Sequence, residues 1–315
     1  MACTRVTVTG ATGLIGPRVV GALQAGKAEV TVLSRDAARA SERLAGAGLA
    51  PVQAFDWDLM SEPAPVQALH GRDAVVHLAG ENIAQRWSER AKRAIRDSRV
   101  TGTRNLLAGL EAIDAEQAGQ RPGALISSSG VGYYGAHGEE PLDEEAPPGE
   151  DFLARICVEW EAQASKASAL GMRVALVRTG VVLDRNGGAL EKMLPPFRLG
   201  VGGPVAGGRQ FISWIHLDDL AGLIVAATRD ERWSGPLNAT APEPVSNREF
   251  SRALGRALKR PALLPVPAAA LQALYGEMAE IVTRGARVVP AKALVLGFQF
   301  AHAELDEALS SAISG

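Results

Sequence analysis

Several things are scarce in this chain, and each scarcity rules something out. Only two cysteines, Cys3 and Cys157, stand among 315 residues, so neither a disulfide framework nor a four-cysteine zinc site can be built. Neither sign of charge prevails: 33 Lys and Arg face 35 Asp and Glu, a formal net charge of −2. Nothing therefore pulls the whole molecule toward DNA or RNA. No stretch approaches the ~18 uninterrupted apolar residues of a membrane helix. Arg5 leads straight into a strand with no apolar leader before it, so the expectation is a soluble, cytoplasmic protein. What is present is enough apolar residue, 47% against 22% charged, to bury a sizeable core and exclude disorder as the main state. The length suits one large α/β domain or two smaller ones.

The first 130 residues alternate between two periodicities. Val6–Thr9, Glu29–Leu33, Pro51–Phe55, the continuous apolar run Ala74–Leu78 and Ala124–Ser128 read as strands. Leu14–Gln24, Asp36–Leu44 and Ser88–Leu110 read as helices. Strands alternating with helices indicate βαβ units and a parallel sheet, and right-handed crossovers open the strand ends onto one shared crevice. Glu139–Asp151 holds seven acidic residues, three prolines and no basic residue and reads as a solvated loop. A helix over Phe152–Leu170 and a strand at Val174–Arg178 continue the alternation. Residues 185–208, rich in Gly and Pro, read as irregular. Ser246 and Glu249 form a capping box that opens a helix to about Lys259. The expected division is 1–180, with a return at about 211–240, then substrate-side segments over 181–260 and a small helical unit over 261–315.

The sharpest local signal runs from Val6 to Gly16. Gly10 ends a strand, while Gly13 and Gly16 open a helix, with Thr12, Leu14 and Ile15 between them. The first glycine permits a tight turn, the second a close backbone approach to a pyrophosphate, and the third close packing of helix on strand. The helix N-terminus offers its free N–H groups to the anion. At the end of the second strand, where a dinucleotide enzyme using NAD places Asp or Glu, this chain has Ser34 and Arg35. A guanidinium and a hydroxyl suit a ribose 2′-phosphate, and Asp36 is expected to cap the next helix. The reading is NADP(H) over NAD.

Taken together, Thr9-Gly-Ala-Thr-Gly-Leu-Ile-Gly16, His77-Leu-Ala-Gly80, Ser98-Arg-Val-Thr-Gly-Thr103, Ser127-Ser-Ser129 and Trp214-Ile-His-Leu-Asp-Asp219 resemble the extended short-chain dehydrogenase/reductases. His77–Ile83, Tyr133-Tyr-Gly135 and Gly207–His216 resemble an atypical branch labelled epimerase family protein, or nucleoside-diphosphate-sugar epimerase. Pro265-Val-Pro267, Gly297-Phe298 and Leu305–Leu309 resemble the C-terminal domain of unknown function that this branch carries. The resemblance covers essentially the whole chain. It implies an α/β fold: a Rossmann-like doubly wound parallel sheet with a smaller, mostly helical C-terminal substrate-side region. It also implies that Leu78, Ala79, Gly80, Ser128, Arg178 and Gly180 line the cofactor site, that Asp56 or Asp58 reaches the adenine, and that the substrate is a small molecule of unknown identity. Nothing points to a nucleic-acid or membrane partner, and the protein is expected to be a monomer or homodimer.

The family's reaction rests on a Ser, a Tyr and Lys four apart, and an Asn on the preceding long helix. The lysine lowers the tyrosine pKa, the tyrosine exchanges a proton while hydride moves, and the serine polarises the carbonyl. Ser129 matches the serine. The Tyr position falls on Leu153, the Lys position on Cys157 and the Asn position on Arg99, with Glu161 one turn beyond. Leucine cannot donate a proton and a thiol offers no ammonium, so the usual proton transfer cannot operate.

Tyr133 is the candidate replacement acid, while Tyr134 is expected to pack structurally. Cys157 is either a thiol activated by Arg99 or, the commoner outcome, a buried inert one. His216 is expected to be a satisfied histidine and Asp218 a helix cap. Trp57 and Trp214 are expected in the core. Of the basic run from Arg86 to Arg104, Arg99 is expected to point inward from a solvated face.

Overall fold

In the computed structural model, which describes residues 4–113 and 120–314, the β-branched runs become strands buried on both faces. Cys3 lies outside the described residues. Strand β1 (Arg5–Thr9), helix α1 (Gly16–Ala25), β2 (Glu29–Ser34), α2 (Ala37–Gly46), β3 (Gln53–Asp56), α3 (Val66–Leu69), β4 (Ala74–His77) and α4 (Glu89–Glu111) follow in turn. They are succeeded by β5 (Ala124–Gly130), β6 (Pro141–Leu142), α5 (Phe152–Ser165), β7 (Arg173–Thr179), β8 (Val181–Leu183), α6 (Gly188–Arg198), β9 (Phe211–Ile212), β10 (Trp214–His216) and α7 (Leu217–Arg229). The remainder comprises β11 (Gly235–Ala239), β12 (Val245–Ser246), α8 (Asn247–Leu258), α9 (Ala268–Tyr275), α10 (Glu280–Thr283), β13 (Arg287–Val288), α11 (Ala291–Val295) and α12 (Leu305–Ser314).

Seven strands form one parallel sheet in the order β11-β7-β5-β4-β1-β2-β3. Alternate side chains divide between its faces, as the strand period requires. Val6, Val8, Val76 and Ile126 meet α1 and α7 on one face. Val75, Leu125 and Leu176 meet α3, α4 and α5 on the other. The strand order reverses between β1 and β4, which places a crevice at their C-terminal ends.

The segments after β7 build a second, smaller core around Trp214 and Phe250, between α6, α8 and α12. Here the sequence reading of 185–208 needs correction. Gly188–Arg198 is helical even though Pro195 and Pro196 lie in it, because Leu190, Leu194 and Phe197 repeat at helical spacing and bury one face. The acidic segment is not wholly solvated either. Its residues Pro141–Leu142 pair in parallel with Arg287–Val288. The Glu144 carboxylate is buried, where it accepts the Asn238 and Lys292 amide N–H groups. No helix among the described residues is long and apolar enough to cross a membrane.

Candidate functional site

At the end of β1 the chain turns through Gly10 at φ +69°. A side chain there would be strained, and its Cβ would lie 2.8 Å from the Ala79 nitrogen at the end of β4. Gly13 donates its N–H to the Gly10 carbonyl at 3.0 Å and is exposed. At Gly16 a Cβ would overlap the Ala11 backbone, so helix and turn touch directly. Helix α1 starts with Ile15 at its cap and no side chain accepting from its first N–H groups. Those donors face the crevice end of the sheet, where an anion can take them. Leu14 packs against Gly187, and Arg18 is ion-paired to Asp218 at 2.8 Å.

At the end of β2 the expected helix cap is in place. Asp36 caps α2 by accepting the Arg39 N–H at 2.8 Å. Asp56, one of the residues placed near an adenine, accepts the Ala37 N–H at 2.7 Å, so its carboxylate serves the same helix. Asp58 is held below the usual carboxylate range chiefly by the Met60 amide, then by the Ser61 hydroxyl, with a smaller pull from Arg35. Ser34 is half-buried and Arg35 exposed; among the described residues Arg35 makes no hydrogen bond or ion pair.

On the opposite side of the crevice, Leu78 and Ala79 bond back to Thr9, through its carbonyl and its hydroxyl. Below them Thr9, His77, Thr103 and Trp160 form a buried hydrogen-bonded chain. Burial pushes the His77 imidazole down to about 4. Arg99 turns inward, as expected, and lies beside Gly80. Its Nη1 donates to the Glu81 and Ile95 carbonyls, and its guanidinium stands 5.1 Å from the Trp160 ring centroid. Burial lowers its pKa, with Cys157 and Glu81 opposing the shift.

Ser129, Cys157 and Glu161 come together under the end of β5. The Ser129 hydroxyl donates to Glu161 Oε1 at 2.7 Å. Cys157 is buried, and burial first, then Glu161, pushes its thiol up to about 11; Arg99 and Ser129 only moderate the rise. Of the two alternatives for Cys157, this placement favours the buried, inert thiol, because desolvation outweighs the neighbouring guanidinium. Leu153 packs over Gly132.

Arg178, expected to line the cofactor site, needs a correction. It is 2% exposed, and its donors are taken by Glu161, the Tyr134 hydroxyl and the Glu144 carbonyl. It braces the network from beneath and does not line the crevice. Burial acts against its charge, but the Glu161 carboxylate outweighs burial and holds it above its ordinary range. Tyr133 is half-buried, with the Arg178 guanidinium 3.4 Å from its ring centroid. Tyr134 is fully buried, donates to Asn238 at 2.7 Å, and is pushed up to about 12 by burial. Its structural reading agrees with this placement. Ser128 points to the other face of β5, half-buried, and Gly180 packs where a Cβ would overlap the Ser213 carbonyl.

His216, not Asp218, caps α7, because its ring accepts the Asp218 N–H at 3.2 Å. Its ring stacks on His302 with centroids 3.7 Å apart, a pairing that 86 residues of separation hid from the sequence. Trp57 and Trp214 are in the core, and Arg86, Arg90, Arg93, Arg96 and Arg104 form a solvated face. Glu144 had no sequence signal at all. Arg178 had one: a cation inside a strand buried on both faces requires a buried partner.

Residues 6–237 match the family model described as NAD dependent epimerase/dehydratase family, and residues 266–312 match a domain of unknown function, DUF1731. An Arabidopsis thaliana relative, the chloroplastic homolog of epimerase family protein SDR39U1, is 42% identical over 305 residues, covering 96% of this chain and 85% of the relative. Epimerase family protein Mb2239 of Mycobacterium bovis is 40% identical, with 99% and 98% covered. The crystal structure of human epimerase family protein SDR39U1 (isoform 2) with NADPH superposes with a TM-score of 0.83 at 34% identity, covering 99% of this chain and all of that one.

Proposed function

Since this chain belongs to the NAD dependent epimerase/dehydratase family, we propose that it binds NADP(H) along the crevice and acts as an oxidoreductase or epimerase-like enzyme on a small molecule. The observation that carries the cofactor choice is at the end of β2. Asp36 is occupied as a helix cap, which leaves exposed Arg35 with the Ser34 hydroxyl to meet a 2′-phosphate. The NADPH bound by human SDR39U1 supports the same choice. Gly10, Thr12, Gly13, Leu14, Ile15 and Gly16 would hold the pyrophosphate against the uncapped start of α1. Leu78, Ala79, Gly80 and Ser128 would border the nicotinamide end. A bound nicotinamide supplies a hydride donor or acceptor.

The chain's own part is proton handling without the usual Tyr and Lys, since Leu153 and Cys157 stand in those places. With its proton directed at Glu161, Ser129 would use a lone pair to accept a hydrogen bond from a substrate hydroxyl. Tyr133 is the group offered for proton exchange. Two cysteines suit a reducing compartment, so the cytoplasm is its proposed location. Titration with NADPH and NADH tests the cofactor; a tighter NADH complex refutes the assignment. Product analysis after incubation with carbonyl compounds and sugar nucleotides tests turnover, and Ser129→Ala should slow it severely.

A second reading is favoured by one observation. The Ser129 hydroxyl is turned onto Glu161 while an inert buried thiol fills the lysine place, as suits an NADPH-binding redox sensor or scaffold without turnover. Tight NADPH binding with no product from any substrate class would select it.

A further inference from the structure

Two loops of the smaller lobe are stitched together far along the chain from the glycine turn. The Val266 N–H donates to Pro204, the Ala206 N–H to Val266, and Arg260 Nε to the Arg198 carbonyl. Gly203 sits so close to Leu264 that a Cβ would overlap its backbone. The joined loops expose four aliphatic side chains: Leu199 is 78% exposed, Leu263 80%, Leu264 53% and Val201 50%. Leaving this much aliphatic surface in water on neighbouring loops is costly and marks a contact surface.

The flanks of this apex are cationic. Two adjoining hollows of about 360 and 260 Å³ share Arg252, Ala262 and Leu263 and are lined further by Arg248, Arg256, Lys259 and Arg260, with no acidic residue in either lining. Asp306 neutralises Arg256, but the side chains of Arg252 and Lys259 make no hydrogen bond or ion pair among the described residues, and Arg252 feels only the longer-range pull of Glu249 on the same helix. The spacing of Arg248, Arg252 and Arg256 puts their charges along one face of α8.

We infer that this apex docks on an anionic lipid bilayer, with Leu199 and Leu263 entering the acyl boundary and Arg252 and Lys259 meeting headgroup phosphates. Aliphatic tips ringed by cations are the pattern of interfacial binding, in which buried apolar area and attraction to anionic lipid add. Single-stranded nucleic acid is less suited, because no aromatic ring lines the hollows to stack a base. A two-fold contact with a second copy would set these cations against themselves. The inference does not depend on the cofactor or the reaction.

The test is co-sedimentation of the full chain with phosphatidylcholine vesicles and with phosphatidylcholine–phosphatidylglycerol vesicles. Binding should be confined to the anionic vesicles and weaken with added salt. Arg252→Gln and Lys259→Gln should each weaken it about fivefold, and Leu263→Ser about tenfold, with unchanged urea midpoints showing that the variants are folded. Equal recovery with both vesicle types, or none with either, overturns the inference. Binding to an oligonucleotide without vesicle binding would assign the patch to nucleic acid instead. A concentration-dependent dimer abolished by Leu263→Ser, again without vesicle binding, would assign it to self-association.

Discussion

Arg178 and Glu161 meet through two parallel hydrogen bonds, Nε to Oε1 and Nη2 to Oε2, each 2.8 Å long, with both side chains buried. This fork ties β7 to α5, and on either side of it hang the Ser129 hydroxyl and the Tyr134 phenol. Removing one partner strands a charge in a water-poor site. Glu161→Gln should lower stability by about 3–5 kcal/mol, read from urea unfolding at neutral pH. A loss below about 1 kcal/mol would show the pair to be no more than a surface-grade contact.

The His77 imidazole lies between two threonine hydroxyls, with its folded pKa near 4 and an unfolded value of about 6.5. Above pH 6.5 neither state takes the proton, so the full contribution is present there. As pH falls toward 4 only the unfolded chain takes it, and stability declines. Between pH 7 and pH 5 this site alone should cost about 2 kcal/mol. The check is the ring titration by NMR: His77 signals that move near pH 6.5 in the folded protein would contradict it.

With its thiol near 11, about one molecule in a thousand carries a Cys157 thiolate at pH 8. Iodoacetamide at that pH should leave Cys157 unmodified in the folded protein and label it promptly in denaturant, as mapped by peptide mass spectrometry. Rapid labelling of the native chain would restore a reactive role to this residue.

Arg35→Ala should raise the NADPH dissociation constant about tenfold to a hundredfold, the worth of a charge-assisted contact to phosphate. It should leave NADH binding unchanged. A parallel loss for both nucleotides would place Arg35 away from the 2′-phosphate.

Local sequence carried the strands, the glycine turn and the caps, because each depends on residues within a few positions of one another. Val6–Gly16 shows its turn and its helix start in eleven residues, and Asp36 and Ser246 cap as their positions suggest. The inward turn of Arg99 followed from its helical position. The network under β5 was only partly legible: Ser129 and Glu161 came from the family pattern, but their mutual hydrogen bond and the fork to Arg178 are tertiary. The helix over Gly188–Arg198 is hidden locally because Pro195 and Pro196 argue against it, while Leu190, Leu194 and Phe197 show their helical spacing only once there is a core to bury them. Glu144 and His302 gave no sign, since their partners lie 94 and 86 residues away along the chain.

The pairing of Pro141–Leu142 with Arg287–Val288, together with the Glu144 carboxylate held by Asn238 and Lys292, imposes an order on biosynthesis. A chain emerging from the ribosome presents Glu144 148 positions before Lys292, so that carboxylate stays hydrated while the first strands are already able to pair. The wall around Tyr133 and Tyr134 can set only after Arg287 and Val288 have been made. Completion of that wall therefore waits on synthesis of the tail, whatever order the earlier strands take.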